Sequence, residues 1–290
     1  MMNKQFAALT NDINIAYLER AGGRTPLVLL HGITESSRSY EQLLPSISAH
    51  CHVYALDLRG HGDSSKPDDL YQTEAYASDV IKFISEVIKE PVSLAGHSLG
   101  GLVTVQVAAS EPQLIHRILL EDPPLYFVNG LNDVYRAAFE AMVLIATTLQ
   151  NGSTARDTWF DLLANAPDPY TGKPGIESVG KAKINQRLDS LSQLNPKALL
   201  DGLDSSLNKH GLDDSLKWNA DDVLKQISCP VTLLTGNADI GSVMTTEDSE
   251  KAMALLNDCE HIYFADVGHM IHDNKPEAWS EAINRFSEFD

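Results

Sequence analysis

The stretch PVSLAGHSLGGLVTVQVAAS, residues 91–110, decides the fold. Val92–Ala95 read as a short apolar strand, and the run from Leu99 reads as a helix that has ended by Pro112. Between them Gly96-His97-Ser98-Leu99-Gly100 has the form G-x-S-x-G. With Gly at ~7% of residues, chance produces that pattern in roughly one chain of this size in ten, so its weight comes from its place between strand and helix. A serine on so sharp a turn carries strained backbone angles, and Gly96 and Gly100 leave room for the close approach. The turn lifts the Ser98 hydroxyl clear of the sheet. It also sets the Leu99 amide at a helix N-terminus, where backbone donors and the helix dipole stabilise an oxyanion.

Working outward, the strand form recurs in PLVLLHG (26–32), HVYALDLRGHG (52–62), RILLEDPP (117–124) and PVTLLTGNAD (230–239). Continuous apolar runs of this length suit strands buried on both faces of a parallel sheet. Between them lie helical segments, YEQLLPSISAH (40–50) and EAYASDVIKFISEVIK (74–89). The latter places Tyr76, Val80, Phe83, Ile84, Val87 and Ile88 on one stripe. QFAAL and INIAYLE, joined by a turn at Asn11-Asp12, predict an antiparallel hairpin at the sheet edge. The fold class is therefore α/β, with a mostly parallel central sheet flanked by helices.

That rhythm stops after Pro124. Residues 132–152, 154–168 and 195–211 carry helical patterns, and APDPYTGKPG (166–175) is a turn-rich connector. The sheet pattern resumes at Val231. The expected organisation is a core of residues 1–124 and 223–290, with residues 125–222 inserted as a helical cap.

Composition limits the function classes. A net charge of −18 over 290 residues argues against nucleic acid and against anionic membrane surfaces. No run approaches the ~18 apolar residues of a membrane span. The first 23 residues show no secretory signal pattern. Cys51, Cys229 and Cys259 fit neither a disulfide framework nor a metal-ligand spacing, so a cytoplasmic location is expected. The histidines and carboxylates show no ligand spacing, so no metal or cofactor is implied.

An ordered set of segments resembles the α/β-hydrolase superfamily over essentially the whole chain. LLHGITESS (29–37) looks like its oxyanion loop, DLRGHGDS (57–64) matches a segment common in its esterase, dehalogenase and epoxide-hydrolase members, and GHSLGG (96–101) looks like its nucleophile elbow. TGNAD (235–239) and DVGHM (266–270) follow where an acid and a base are expected. The resemblance implies Ser98 as nucleophile, His269 as general base and then general acid, and the amides of Leu99 and Ile33 as the oxyanion hole. Serine in place of the aspartate of epoxide hydrolases and haloalkane dehalogenases implies acyl transfer.

Two acids compete to orient His269. Asp239 leads, because Gly236 begins the G-x-x-D pattern usual in the family after that strand. Asp122 is the rival, since some members carry the acid after the preceding strand. Strand alternation sends Glu121 and Asp122 to opposite faces, so Glu121 is expected to pair elsewhere. His31 and His61 are read as holding turns, His97 as a packing or hydrogen-bonding residue, and His272 as a surface or supporting residue. Trp159, Phe139, Tyr135, Met142 and Tyr170 of the cap are read first as packing residues.

The expected activity is cleavage of carboxylic ester bonds, with lactones included, through an acyl-enzyme on a small apolar acyl compound. Thioester, amide or carbon–carbon cleavage by the same residues is the alternative, and a small-molecule receptor on the same fold is the alternative of another class.

Overall fold

A computed structural model of the protein describes residues 4–47, 49–126, 133–151, 155–167, 172–207 and 219–287. Its strands are β1 (Lys4–Ala8), β2 (Asn14–Arg20), β3 (Thr25–Leu30), β4 (Cys51–Leu56), β5 (Val92–His97), β6 (Ile115–Glu121), β7 (Val231–Gly236) and β8 (Cys259–Phe264). They form one eight-stranded sheet in the order β1-β2-β4-β3-β5-β6-β7-β8. β1 and β2 pair antiparallel, as does β2 with β4; every other pairing is parallel. β5 thus lies between β3 and β6, and its C-terminal end is flanked by the loops that follow both.

The α-helices are α1 (Leu44–Ile47), α2 (Thr73–Lys82), α3 (Leu99–Ser110), α4 (Asp133–Gln150), α5 (Ala155–Asn165), α6 (Gly175–Ser178), α7 (Gly180–Ser192), α8 (Pro196–Leu207), α9 (Ala220–Leu224), α10 (Thr246–Leu255), α11 (Ile271–Asn274) and α12 (Pro276–Ser287). A π-helical turn, Phe83–Ile88, extends α2. Among its described residues, YEQLLPSISAH, expected to be a helix, carries the single α-helical turn α1, preceded by a 3-10 turn at Ser37–Tyr40. Every residue of β5 and β7 is buried, as strands covered on both faces require. One core cluster joins Val28, Leu94, Ile118 and Leu233 to Val103 and Val105 of α3, while another packs Leu29, Ala95 and Leu119 against Trp279 and Ile283 of α12.

The described residues between β6 and β7 carry helices α4–α9. Ile145, Ala146, Leu188 and Leu199 are buried in the larger core cluster. Asn195 anchors this segment to the loop after β4: its N–H donates to Gly60 O at 2.7 Å and its Nδ2 to Tyr71 Oη at 2.9 Å. Lys183 of α7 pairs with Asp273 of α11. Met142 and Trp159 are half-buried against the core, in keeping with packing roles. The side chains of Tyr135, Phe139 and Tyr170 lie outside the described residues.

Candidate active site

Ser98 sits between β5 and α3 with φ 52° and ψ −116°, a conformation sterically disfavoured for a residue with a Cβ. The neighbouring glycines make it attainable. A Cβ on Gly96 would lie 2.1 Å from Gly100 O, and one on Gly100 would lie 2.2 Å from Leu30 O. Backbone bonds hold the turn on both sides: Ser98 N–H donates to Glu121 O at 3.0 Å and Gly100 N–H donates to His31 O at 3.2 Å. Leu99 is the first residue of α3, so its N–H has no acceptor within the helix.

The Ile33 N–H shares a planar peptide with Gly32 C=O. Gly32 O is held from two sides, by Glu35 N–H at 3.0 Å and His31 Nδ1 at 2.7 Å. His31 Nε2 accepts from Leu58 N–H at 3.0 Å, so its proton is on Nδ1 and the ring is neutral; burial lowers its pKa, in the same direction. His61 Nε2 reaches Ile33 O at 2.7 Å. His31 and His61 therefore fix the loop after β3, as expected, and leave the Ile33 N–H directed away from Gly32 O.

The carboxylate that meets His269 is Asp122. His269 Nδ1 lies 2.7 Å from Asp122 Oδ2. Asp122 has φ 42°, so the chain turns sharply at the end of β6. Its carboxylate is fully buried and fully engaged. Oδ1 accepts from Ser242 Oγ at 2.6 Å and Met244 N at 3.2 Å, and Oδ2 also accepts from Val243 N at 2.8 Å. The expectation for Asp239 is corrected. Asp239 is exposed, and its N–H donates to Asn237 Oδ1 at 2.9 Å in the turn Ala238–Ile240. That turn follows β7 immediately and points Asp239 outward. Gly241, at φ 104°, then brings residues 242–244 back over Asp122. The loop after β7 supplies donors to the acid, a role that nothing in the sequence marks.

Behind His269 lies a buried set of charges. His97 Nε2 is 3.1 Å from His269 O, and the two rings are 4.6 Å apart. His97 Nδ1 is 2.8 Å from Glu35 Oε2, which also accepts from Gly32 N–H at 2.8 Å. His272 Nδ1 is 2.8 Å from Glu121 Oε1, and Trp279 Nε1 donates to Glu121 Oε2 at 2.8 Å. His272 is fully buried, which excludes the surface alternative for it. Burial alone would raise both carboxyl pKa values, but the facing histidines hold Glu35 well below the usual carboxylate range and lower Glu121. Burial alone would lower both imidazoles, but Glu121 and Glu35 raise His272 well above its usual value and also raise His97. Glu35, His97 and His272 bring ligand-type atoms within 4.8 Å of one another, a cluster that their sequence spacing conceals.

Ser98, His269 and Asp122 are thus brought to one end of the sheet, beside the Leu99 and Ile33 amides, while Asp239 stays outside. Among the described residues, no helix is long and apolar enough to cross a membrane.

Comparison with known proteins agrees with this architecture. The chain is 26% identical over 287 residues to (E)-2-((N-methylformamido)methylene)succinate hydrolase of Acinetobacter baylyi, covering 97% of this chain and 96% of the relative. It is 35% identical over 123 residues to 2-(acetamidomethylene)succinate hydrolase of Mesorhizobium japonicum, covering 42% of this chain and 44% of that one. The crystal structure of an N-formylmaleamic acid deformylase from Pseudomonas putida S16 superposes with a TM-score of 0.77 at 19% identity, covering 97% of this chain and all of that one, and so shares the fold. A family model described as the alpha/beta hydrolase family matches residues 27–282, from β3 into α12, and the chain belongs to that family.

Proposed function

We propose that this protein is a serine hydrolase that cleaves small acyl compounds through an acyl-enzyme on Ser98, without a cofactor. The observation that carries the reading is the 2.7 Å contact between His269 Nδ1 and the buried Asp122 carboxylate, beside a serine held at φ 52°.

Asp122 accepts the Nδ1 proton of His269 and so leaves Nε2 unprotonated and basic. His269 takes the Ser98 hydroxyl proton as Oγ attacks the substrate carbonyl. The Leu99 and Ile33 N–H groups stabilise the resulting oxyanion. Collapse of the tetrahedral intermediate breaks the acyl bond, and His269 delivers its proton to the leaving group. Water, deprotonated by His269, then attacks the acyl-enzyme, and the acid leaves as Ser98 regains its proton. Residues 125–222 act as a cap over the site, and the substrate enters between cap and sheet.

Ester cleavage is the activity that the residues alone support first. Amide cleavage is a second reading favoured by a specific observation: two relatives are named for substrates that carry an N-acyl amido group on a succinate skeleton. A panel separates them. p-Nitrophenyl acetate, a small lactone, an acyl thioester, an acetamidomethylene succinate and a vinylogous diketone are offered to wild type and to Ser98→Ala. Turnover of the first that is lost in Ser98→Ala supports the hydrolase, and faster turnover of the amide assigns the second reading. No turnover above Ser98→Ala in any class refutes the enzyme reading in favour of a binding role.

A further inference from the structure

Glu35, His97, Glu121 and His272 take no part in the chemistry set out above, yet they are sealed directly beneath it, with side chains at most 8% exposed. We infer that they form a positioning clamp in which both imidazoles are doubly protonated, fixing the oxyanion loop through Gly32 and the catalytic base through the His269 carbonyl. Its catalytic consequence rests on the serine-hydrolase reading; its protonation state does not.

The geometry sets the protonation. His97 faces an acceptor at each nitrogen, the Glu35 carboxylate at Nδ1 and the His269 carbonyl at Nε2. A neutral imidazole has one N–H and satisfies one of them; an imidazolium satisfies both. His272 differs in one respect: Glu121 Oε1 lies 2.8 Å from Nδ1 and also accepts the His272 backbone N–H, while Nε2 has no hydrogen-bond partner among the described residues and faces Glu35 Oε1 at 3.4 Å as an ion-pair neighbour, so its second proton is held by charge. Two imidazoliums and two carboxylates sum to zero charge, which makes deep burial tolerable where one unpaired ion would be costly. The other polar groups nearby do not upset this balance. Asp273 Oδ1 lies 3.8 Å from His272 Nε2 and its carboxylate also pairs with Lys183, while the Tyr40 hydroxyl donates to Leu30 O.

The clamp assigns protons, not a metal ion, to these atoms. Ligation would need unprotonated nitrogens facing a common ion. His97 Nδ1 instead lies at hydrogen-bond distance from Glu35 Oε2, and that oxygen also accepts the Gly32 N–H.

The clamp has two working ends. Glu35 holds Gly32 N–H, one peptide before the Ile33 donor, and His97 holds the carbonyl of His269 itself. Loss of either end displaces an oxyanion donor or the base relative to Ser98 without touching the substrate. That predicts a loss in the chemical step with binding unchanged.

The test has two arms. In wild type labelled with ¹⁵N-histidine, two-bond proton–nitrogen correlation spectra at pH 8 should show both ring nitrogens of His97 and His272 protonated, where an ordinary histidine of pKa about 6.5 is neutral. A neutral tautomer at either position, or a stoichiometric metal removed by a chelator, overturns the clamp. In the second arm, Glu35→Gln and His97→Asn are treated with a p-nitrophenyl phosphonate that labels Ser98. The maximal labelling rate should fall by about 100-fold while the half-saturating concentration shifts by less than about threefold. An unchanged rate, or a loss confined to saturation, refutes positioning. If the variants fail to fold, the wild-type spectra decide the proposal. If wild type and Ser98→Ala are equally inert to the phosphonate, the hydrolase reading fails, and the clamp stands or falls on the spectra.

Discussion

Replacing Asp122 by Asn tests the centre of the proposed mechanism, and the structure sets the size of the effect. The carboxylate faces four donors: Ser242 Oγ, Met244 N, Val243 N and His269 Nδ1. An asparagine keeps one acceptor oxygen. With that oxygen left toward Ser242 and Met244, its amide NH₂ meets His269 Nδ1 and the Val243 N–H. The imidazole then shifts its proton to Nε2, the nitrogen that must take the serine proton. The same change costs a serine protease about 10⁴ in kcat, which corresponds to about 5.4 kcal/mol of transition-state stabilisation. The orphaned Val243 N–H adds about 1–3 kcal/mol of lost fold stability. The assay is steady-state hydrolysis of p-nitrophenyl acetate, with urea denaturation alongside. Asp239→Asn, at an exposed position, should keep its rate within about twofold, as surface changes away from such features do. A collapse in Asp239→Asn with Asp122→Asn near wild type would refute the reasoning.

Further outcomes follow from the elbow and the buried charges. Gly100→Ala places a methyl group 2.2 Å from Leu30 O, a backbone atom of a central strand, so urea denaturation should show a loss at or above the roughly 1–3 kcal/mol of core overpacking. A fully stable variant would show that α3 can move off β3. Trp279→Phe removes the indole N–H that donates to Glu121 and also shrinks a fully buried ring, so a loss above the roughly 1–3 kcal/mol of an unsatisfied buried acceptor is expected in the same measurement, and a fully stable variant would show that neither the donor nor the ring volume is needed. Stability should also depend on pH in two limbs, read as melting temperature. Glu35 and Glu121 are lowered in the folded state, so their contribution is present above the unfolded value of 4.5 and is lost as pH falls through their folded values. His97 and His272 are raised, so theirs is complete below 6.5 and is lost as pH rises through their folded values. A melting temperature that climbs steadily from pH 6.5 to pH 9 would contradict this sign.

The sheet was legible where strands are buried on both faces, because an unbroken apolar run such as Leu27–Leu30 has no other use. β8, Cys-Glu-His-Ile-Tyr-Phe at the sheet edge, escaped notice because its residues are only partly covered and carry no such run. α7 escaped for a similar reason: Lys181, Lys183, Gln186 and Asp189 dilute its apolar stripe of Ile184, Leu188 and Leu191. The turn that carries Ser98 and the loop that carries His269 were legible from motifs that act through local backbone geometry. The carboxylate that meets His269 was not, since Asp122 and Asp239 both follow strands in an allowed order, and the choice depends on how three residues after Gly241 fold back. The pairing of Glu121 with His272 spans 151 positions and left no periodic trace.

The bond from Ser98 N–H to Glu121 O has a consequence for the order in which the protein acquires its chemistry during synthesis. β5 and β6 can pair as soon as residue 122 has emerged, which fixes Ser98 and Asp122 to one ladder while His269 is still 147 positions away. A nascent chain at that stage holds Ser98 without the imidazole that the proposed mechanism requires. Competence arrives with β8 and α12, when Trp279 closes on Glu121 and the final histidines dock. On the proposed mechanism, His269 therefore joins Ser98 and Asp122 last, carried by the segment that also completes the core.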